Sequence, residues 1–354
     1  MLTVQRNFSL PAFPEQDTKT LYFDIETTGL SARTSGLYLI GCCFFDGTGW
    51  QLIQWFAESM ADECGLLRAF FDLLGHFSRL VHYNGTAFDI PYLKNCARPY
   101  RLNCPFSNVS DLDLFRTARH LGRIIRLSDY RQKTVEAFFQ LPREDCKSGG
   151  ELIEQYQTYL QTGQETLLTE LFLHNDCDVT NLPRLHAALT SYEGLAQADY
   201  LLSKQEDENG LTLTLTFPGF SFPQPADPDV PYGRFHLEDD RITAFLPFFC
   251  GELRHFFPDY RDYYYIPEED TAMHRKVAQF VEPARRRRAT ASTCYIRRTG
   301  TFLEQPSAVL VPDFTEEYRG KRHYFLYRAG QTTDEELRRF LSSLLSCLYP
   351  APRA

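Results

Sequence analysis

Apolar and polar positions along the first 190 residues change period several times, and each change marks a new element. Leu21 to Glu26 is a short apolar run with carboxylates set into it, and Leu37 to Phe45 and Trp50 to Phe56 are strand-like runs separated by the Asp46-Gly47 turn signal. Together they predict a meander of three strands. From Ala61 to Phe77 the spacing becomes helical, with Leu66, Leu67, Phe70, Phe71 and Leu74 on one face; Leu80 to Tyr83 then reads as a strand ending at Asn84-Gly85. A further helix, a short strand near Val109 to Leu114, and helices near 133–140, 151–160 and 166–189 follow. Three strands first, then strands alternating with helices, predict an α/β fold in which a mixed sheet is covered by helices on both faces.

From about residue 200 the pattern shifts. Lys204 to Gly210 is polar and turn-rich, Leu211 to Thr216 alternates with period two, and Pro218 to Pro231 carries five prolines and reads as a surface loop. A helix from about Thr271 to Val281, strands around Cys294 to Phe302 and His323 to Tyr327, and a terminal amphipathic helix presenting Leu337, Phe340, Leu341, Leu344, Leu345 and Leu348 complete the reading. A length of 354 residues suits two domains. The expected division is 1–195 and 196–354, the second a smaller α+β region.

Composition adds exclusions. With 43% hydrophobic and 23% charged residues the chain is neither disordered nor fibrous. No apolar run approaches the ~20 residues of a spanning helix, and the opening residues lack a basic segment followed by an apolar stretch, so neither a membrane anchor nor export is expected. The ten cysteines include no C-x-x-C pair, which fits reduced thiols in a cytoplasm better than a zinc site or a disulfide framework. No P-loop and no G-x-S-x-G is present.

The net charge of -9 counts against a general nucleic-acid binder, yet it is unevenly spread. Residues 271–300 hold eight basic side chains, among them Arg285, Arg286, Arg287 and Arg288, against one acidic residue, Glu282. With Tyr263, Tyr264, Tyr265 and Tyr295 nearby, this segment reads as a phosphate-tracking patch, as a solvated helix end beside core tyrosines, or as a partner-docking surface.

Three short segments carry candidate chemistry. In Phe23-Asp24-Ile25-Glu26-Thr27-Thr28-Gly29-Leu30 a strand would project Asp24 and Glu26 from one face. Two adjacent carboxylates repel unless a cation lies between them, and hard ions such as Mg²⁺ or Mn²⁺ take oxygen ligands; an exposed sheet face is the plain alternative. In His82 to Leu93, Asp89 falls at a strand end or helix start, where it either binds a ligand or caps the helix, and Asn84 offers turn or phosphate hydrogen bonds. In Leu173 to Val179, His174 and Asp178 share a helix face and Asp176 points elsewhere; a surface pair is the simpler reading of these two alone. Asp111 and Asp113 read as supporting or capping residues.

The three segments together resemble the DnaQ-like, DEDD-type 3′–5′ exonucleases of the ribonuclease H-like superfamily. F-D-I-E-T-T-G-L at 23–30 looks like their first motif, Y-N-G-T-A-F-D-I-P-Y-L at 83–93 looks like the second as found in proofreading domains of family B polymerases, and H-N-D-C-D at 174–178 sits where the third belongs. More narrowly, the chain is similar to the bacterial YprB-like predicted exonucleases. The resemblance covers roughly residues 19–190. It implies a ribonuclease H-like fold, two divalent cations (Mg²⁺ or Mn²⁺) held by Asp24, Glu26, Asp89 and Asp178, and hydrolysis of single-stranded DNA or RNA ends. It also implies that the backbone around Thr27 and Leu30 holds the terminal nucleotide; Asn84 and Phe88 are further candidate substrate-binding residues. Family members carry Tyr four residues before the last Asp or His five before it; here His174 stands four before Asp178. Whether His174 orients the attacking water or deprotonates it is therefore open. A catalytically idle nucleic-acid-binding or scaffolding protein, and a structure-specific endonuclease, are the alternatives on the same fold.

Overall fold

The computed structural model describes residues 1–10, 17–145 and 147–348; Cys146 lies outside the described residues. The chain divides into two compact units, Met1–Glu193 and Gly194–Ala354. The nine described cysteines are free thiols. Among the described residues no helix is long and apolar enough to cross a membrane.

The first unit runs β1 (Leu2–Phe8), β2 (Thr20–Thr27), β3 (Leu37–Phe45), β4 (Trp50–Phe56), α1 (Glu63–Leu74), β5 (Arg79–His82), α2 (Asp89–Ala97), β6 (Ser110–Asp113), α3 (Leu114–His120), α4 (Gln132–Phe138), α5 (Gly149–Thr162) and α6 (Glu165–Gly194). Its six strands form one mixed sheet in the order β1-β4-β3-β2-β5-β6. The meander β2-β3-β4 is antiparallel, and β5 and β6 continue it in parallel, as strands reached through crossovers must. β1 is an edge strand paired only with β4.

The alternation of β2 decides what each face of the sheet does. Phe23 and Ile25 are buried in the core with Leu66, Leu67, Phe70 and Leu74 of α1, the Phe23 and Phe70 rings lying 5.2 Å apart. Each such side chain contributes roughly 1.5–3 kcal/mol through burial. Asp24 and Glu26 face the other way, toward α6, where Asn175 Nδ2 donates to Asp24 Oδ2 (3.2 Å). The helix comes this close because residue 41, paired with Asp24 across β2 and β3, is glycine. A Cβ at Gly41 would sit 1.9 Å from Asn175 Oδ1 and 2.9 Å from Val179 Cγ2.

The second unit contains β7 (Leu201–Glu206), β8 (Gly210–Thr216), β9 (Arg234–Glu238), β10 (Arg241–Pro247), β11 (Phe249–Phe256), β12 (Tyr263–Ile266), β13 (Thr271–His274), α7 (Arg275–Ala278), β14 (Arg287–Arg288), β15 (Tyr295–Gln305), β16 (Asp313–Phe314), β17 (His323–Tyr327) and α8 (Asp334–Leu348). Its sheets are β7-β8-β10-β9, β11-β15-β17-β16 and β13-β12-β14. The leucines of α8 and Phe340 are buried, with Phe340 against Phe325 (ring centroids 4.9 Å).

Two segments differ from the sequence reading. Leu201 to Glu206 is a strand, and only Asp207 to Asn209 turns, because pairing with β8 extends across the polar residues. The helix expected over 271–281 is the strand β13 followed by a single turn, α7: residues 271–274 pair along β12 from Ile266↔Thr271 to Tyr263↔His274. Tertiary pairing overrides the helix propensity of this segment.

Candidate active site

The site forms where β2 meets α6. His174 and Asp178 lie one turn apart on α6, which places His174 Nε2 3.1 Å from Asp178 Oδ2 and 3.6 Å from Glu26 Oε1. One ligand atom from each of Glu26, His174 and Asp178 lies within 4.8 Å of the others. Asp176, on another face of the helix, is held instead by Arg6. Asp89 begins α2 and is buried; its Oδ1 accepts from the backbone N–H of Ile25, the residue between Asp24 and Glu26 (3.3 Å). Asp89 does not cap its helix, whose capping position is Phe88 without a side-chain hydrogen bond.

Hydrogen bonding fixes the electrostatics of the cluster. His174 Nδ1 lies 2.7 Å from Asp145 Oδ2, and because a carboxylate only accepts, Nδ1 carries the proton. In the neutral imidazole, Nε2 is then an acceptor facing two carboxylate oxygens. Three acceptors with no proton between them would repel, so the trio calls for a protonated carboxyl, an imidazolium or a bound cation. Glu26 Oε1 is buried and has no hydrogen-bond partner, an expensive state for a carboxylate oxygen that a cation would relieve. The carboxylate oxygens of Glu26 and Asp178 therefore fit a hard divalent ion, with His174 Nε2 beside them.

Burial and mutual repulsion act together on the acids. Asp24 is raised well above its ordinary range by desolvation, then by Asp89, Asp178 and Glu26. Glu26 is raised by desolvation, then by Asp178 and Asp89. Asp89 is pushed up to about 7, mainly by desolvation, against the backbone N–H groups that favour its charged form. Asp145 moves the opposite way: burial would raise it, but hydrogen bonds from Lys133, Lys147 N–H and His174 hold it below the carboxylate range.

Four of the residues that organise the cluster had no role in the sequence reading. Arg143 donates to Glu136 (2.7 Å), Asp145 (3.2 Å) and Asp178 Oδ1 (2.6 Å), and Lys133 donates to Asp145 (2.8 Å). Arg143 and Lys133 thus offset charge on Glu136, Asp145 and Asp178, while among the described residues no Lys or Arg pairs with Asp24, Glu26 or Asp89. Arg143, Asp145 and Lys133 come from segments whose proximity to α6 only the fold creates. Asn175, buried and holding Asp24 while accepting from Gln54 Nε2 (3.0 Å), had one signal: a polar residue on the core side of a helix.

The remaining candidates lie around this cluster or in the other unit. A β-bulge falls between Glu26 and Thr27, Thr27 Oγ1 donates to Gly29 O (2.9 Å), and Leu30 is 89% exposed. Asn84 takes a left-handed backbone (φ 63°), a conformation Asn tolerates, with its N–H on Asp113 Oδ1 (2.7 Å). Phe88 is half-buried against Tyr92. Asp113 also caps α3 through Phe115 N–H, and Asp111 takes His82 and Thr86 as partners. In the second unit, Arg285 bonds Glu268, the Arg286 and Arg288 guanidiniums stack over Tyr264 at 4.9 and 4.7 Å, and Arg287 pairs with Tyr265 in β14.

Residues 21–190 match the family model described as RNase_H superfamily. No curated protein matches the chain. Among solved structures, the chain is similar to a family B DNA polymerase from the hyperthermophilic archaeon Pyrobaculum calidifontis, at 15% identity over 72% of this chain and 36% of that one, with a TM-score of 0.42. It is also similar to the zinc-bound E. coli exonuclease I–ssDNA complex, at 12% identity over 56% of this chain and 54% of that one, TM-score 0.27. E. coli exonuclease I in complex with a dA16 oligonucleotide gives 12% identity over the same shares, 56% and 54%, with a TM-score of 0.28. The chain spans between about a third and somewhat over half of the length of these structures. Its first unit has a ribonuclease H-like fold, a mixed sheet flanked by helices, and further sheets follow toward the C-terminus.

Proposed function

We propose that the protein is a metal-dependent nuclease, and more narrowly a 3′–5′ exonuclease that hydrolyses phosphodiester bonds at single-stranded DNA or RNA ends. The observation that carries this reading is the trio Glu26 Oε1, His174 Nε2 and Asp178 Oδ2, ligand atoms within 4.8 Å of one another with Glu26 Oε1 buried and unbonded, beside Asp24 and Asp89. Asp24, Glu26, Asp89 and Asp178 would hold two divalent cations, Mg²⁺ or Mn²⁺. Bound there, such ions would activate a water and offset charge on the phosphoryl and leaving oxygens.

The chain's own residues supply the rest. Asp145 keeps the proton of His174 on Nδ1, which leaves Nε2 to orient an attacking water or accept its proton. Arg143 fixes the rotamer of Asp178, and Asn175 that of Asp24. Leu30, exposed beside the bulge, and half-buried Phe88 offer apolar surface to a terminal base.

Arg143 on Asp178 also supports a second reading, a catalytically idle nucleic-acid-binding protein in which the guanidinium takes over part of a metal's charge. Incubation of a linear single strand and a covalently closed circle of the same sequence with Mn²⁺ tests the proposal. Loss of the linear strand with the circle spared is expected. Cleavage of the circle would mean an endonuclease, and survival of both would favour the idle protein.

A further inference from the structure

The carboxylate cluster opens into a cleft of about 900 Å³ whose lining includes Asp24, His174 and Asp178 together with Arg119, Arg131, Phe115 and Tyr83. We infer that Arg119 and Arg131 form the phosphate-binding track of a single-stranded nucleic acid, with Phe115 and Tyr83 as its stacking surface. This rests on the proposed function for what happens at the end of the strand; the track itself is argued from charge and shape.

Residues 114–133 carry six basic side chains, Arg116, Arg119, Arg123, Arg126, Arg131 and Lys133, against one acid, Asp129. They are not a loose charge run. Asp129 Oδ1 accepts from Arg131 N–H (3.0 Å) and Thr134 Oγ1 (2.7 Å), which ties the only acid into the entry to α4. Tyr130 donates to Ile125 O (3.0 Å) and Tyr83 donates to Tyr130 O (2.5 Å), so the loop is bolted to the strand that leads into the site. Gly122 lets the Tyr130 ring seat, since a Cβ there would stand 2.7 Å from its hydroxyl.

Cations near the carboxylates fall into two kinds. Arg143 and Lys133 are consumed by Glu136, Asp145 and Asp178. Arg119 and Arg131 are exposed, line the same cleft, and among the described residues make no ion pair; Arg119 only stacks on Phe115 (5.7 Å). Arginines that sit within reach of an acidic cluster without pairing to it are available to a ligand's anions. Phe115 and Tyr83 meet edge to face (5.9 Å), and aromatic rings beside a cationic groove hold bases without reading sequence. A cleft of this volume has room for the end of a single strand. In the arginine run of the second unit Arg285 is paired with Glu268, and none of Arg285 to Arg288 lines this cleft.

The test is equilibrium binding of fluorescently labelled 20-nucleotide DNA and RNA single strands to the full chain in EDTA, across a salt series. Three proteins are compared: wild type, Arg119→Ala/Arg131→Ala and Arg119→Lys/Arg131→Lys. Each phosphate contact contributes about 0.7 to the slope of log K against log salt for single strands, so the alanine pair should shallow the slope by about 1.4 and the lysine pair should restore it. The DNA and RNA arms report which backbone is preferred. An unchanged slope in the alanine pair, with its unfolding midpoint intact, overturns the inference, whatever substitution of Arg285 to Arg288 does. A wild type that binds with the expected slope but cleaves nothing with Mg²⁺ or Mn²⁺ would defeat the proposed function and leave this track standing.

Discussion

The raised carboxyls of the cluster predict how the metal-free protein responds to pH. Burial pushes Asp89 up to about 7 in the folded protein from an ordinary 3.8, so between these values the native state binds a proton that the unfolded chain has released. Stability then falls as pH rises, since the unfolded state holds fewer protons. Between pH 5 and pH 8 about two units of the Asp89 shift are traversed, worth about 3 kcal/mol at 1.36 kcal/mol per unit. Asp24 and Glu26 are shifted the same way and add to it. Exposed turn acids such as Asp46, lowered to about 2 by its hydrogen bonds with Thr48 and Gly49, titrate below this window and do not oppose the trend. For a unit of this size each kcal/mol moves the unfolding midpoint by about 2–4 °C, so a fall of about 6–12 °C from pH 5 to pH 8 in EDTA is expected. A divalent ion needs the ionised carboxylates, so Mg²⁺ should reverse the trend, raising the midpoint more at pH 8 than at pH 5. Asp89→Asn keeps the acceptor for Ile25 N–H but cannot ionise; it should be more stable than wild type at pH 8 in EDTA and gain less from Mg²⁺. Thermal unfolding by circular dichroism reads all of this. A metal-free midpoint that rises from pH 5 to pH 8, or a Mg²⁺ shift equal at both, would mean that Asp89 is not a raised, ion-binding acid.

Other substitutions probe separate links. Gly41→Ala should destabilise by about 1–3 kcal/mol through overpacking and should lower nuclease turnover without altering any acid, because the new Cβ must push Asn175 and Val179 away from β3; normal turnover with normal stability would contradict the packing argument. Asp145→Asn removes the anion that holds His174 Nδ1 and is expected to cost about 10–100-fold in activity or metal affinity and to change the pH–rate profile. His174→Ala should lose most of the rate while retaining metal and strand binding, and unchanged turnover would remove His174 from the mechanism. Arg143→Met strands Glu136 and Asp178 without their cation, with an expected loss of about 3–5 kcal/mol measured by denaturant unfolding.

What the sequence disclosed follows from where each signal lives. β2, β3 and β4 were legible because their burial makes near-continuous apolar runs, and Asp24, Glu26, His174 and Asp178 because the strand and helix periods each carry two groups onto one face. β1 escaped notice since five of its seven residues are exposed and its hydrogen bonds all go to β4. β7 is an edge of the same kind. Arg143 and Asp145 lie in an irregular segment between α4 and α5, where no period predicts direction, and only the packing of that segment against α6 gives them meaning. The arginines of 114–133 were open to counting, but their use depends on which acids pair elsewhere, a tertiary fact. At 271–300 the fold meets part of the excess of positive charge, pairing Arg275 with Asp262, Arg285 with Glu268, and Arg297 with Glu252 and Asp270.

The proposed exonuclease would hydrolyse a strand from its 3′ end with metal ions held by Asp24 and its neighbours. It is tested most directly by incubating 5′-labelled single-stranded DNA and RNA with EDTA, Mg²⁺ or Mn²⁺, comparing wild type with Asp24→Ala. A ladder shortening from the 3′ end, present only with metal and absent in the variant, is expected. Intact strands under every condition, or equal cleavage by Asp24→Ala, would contradict it.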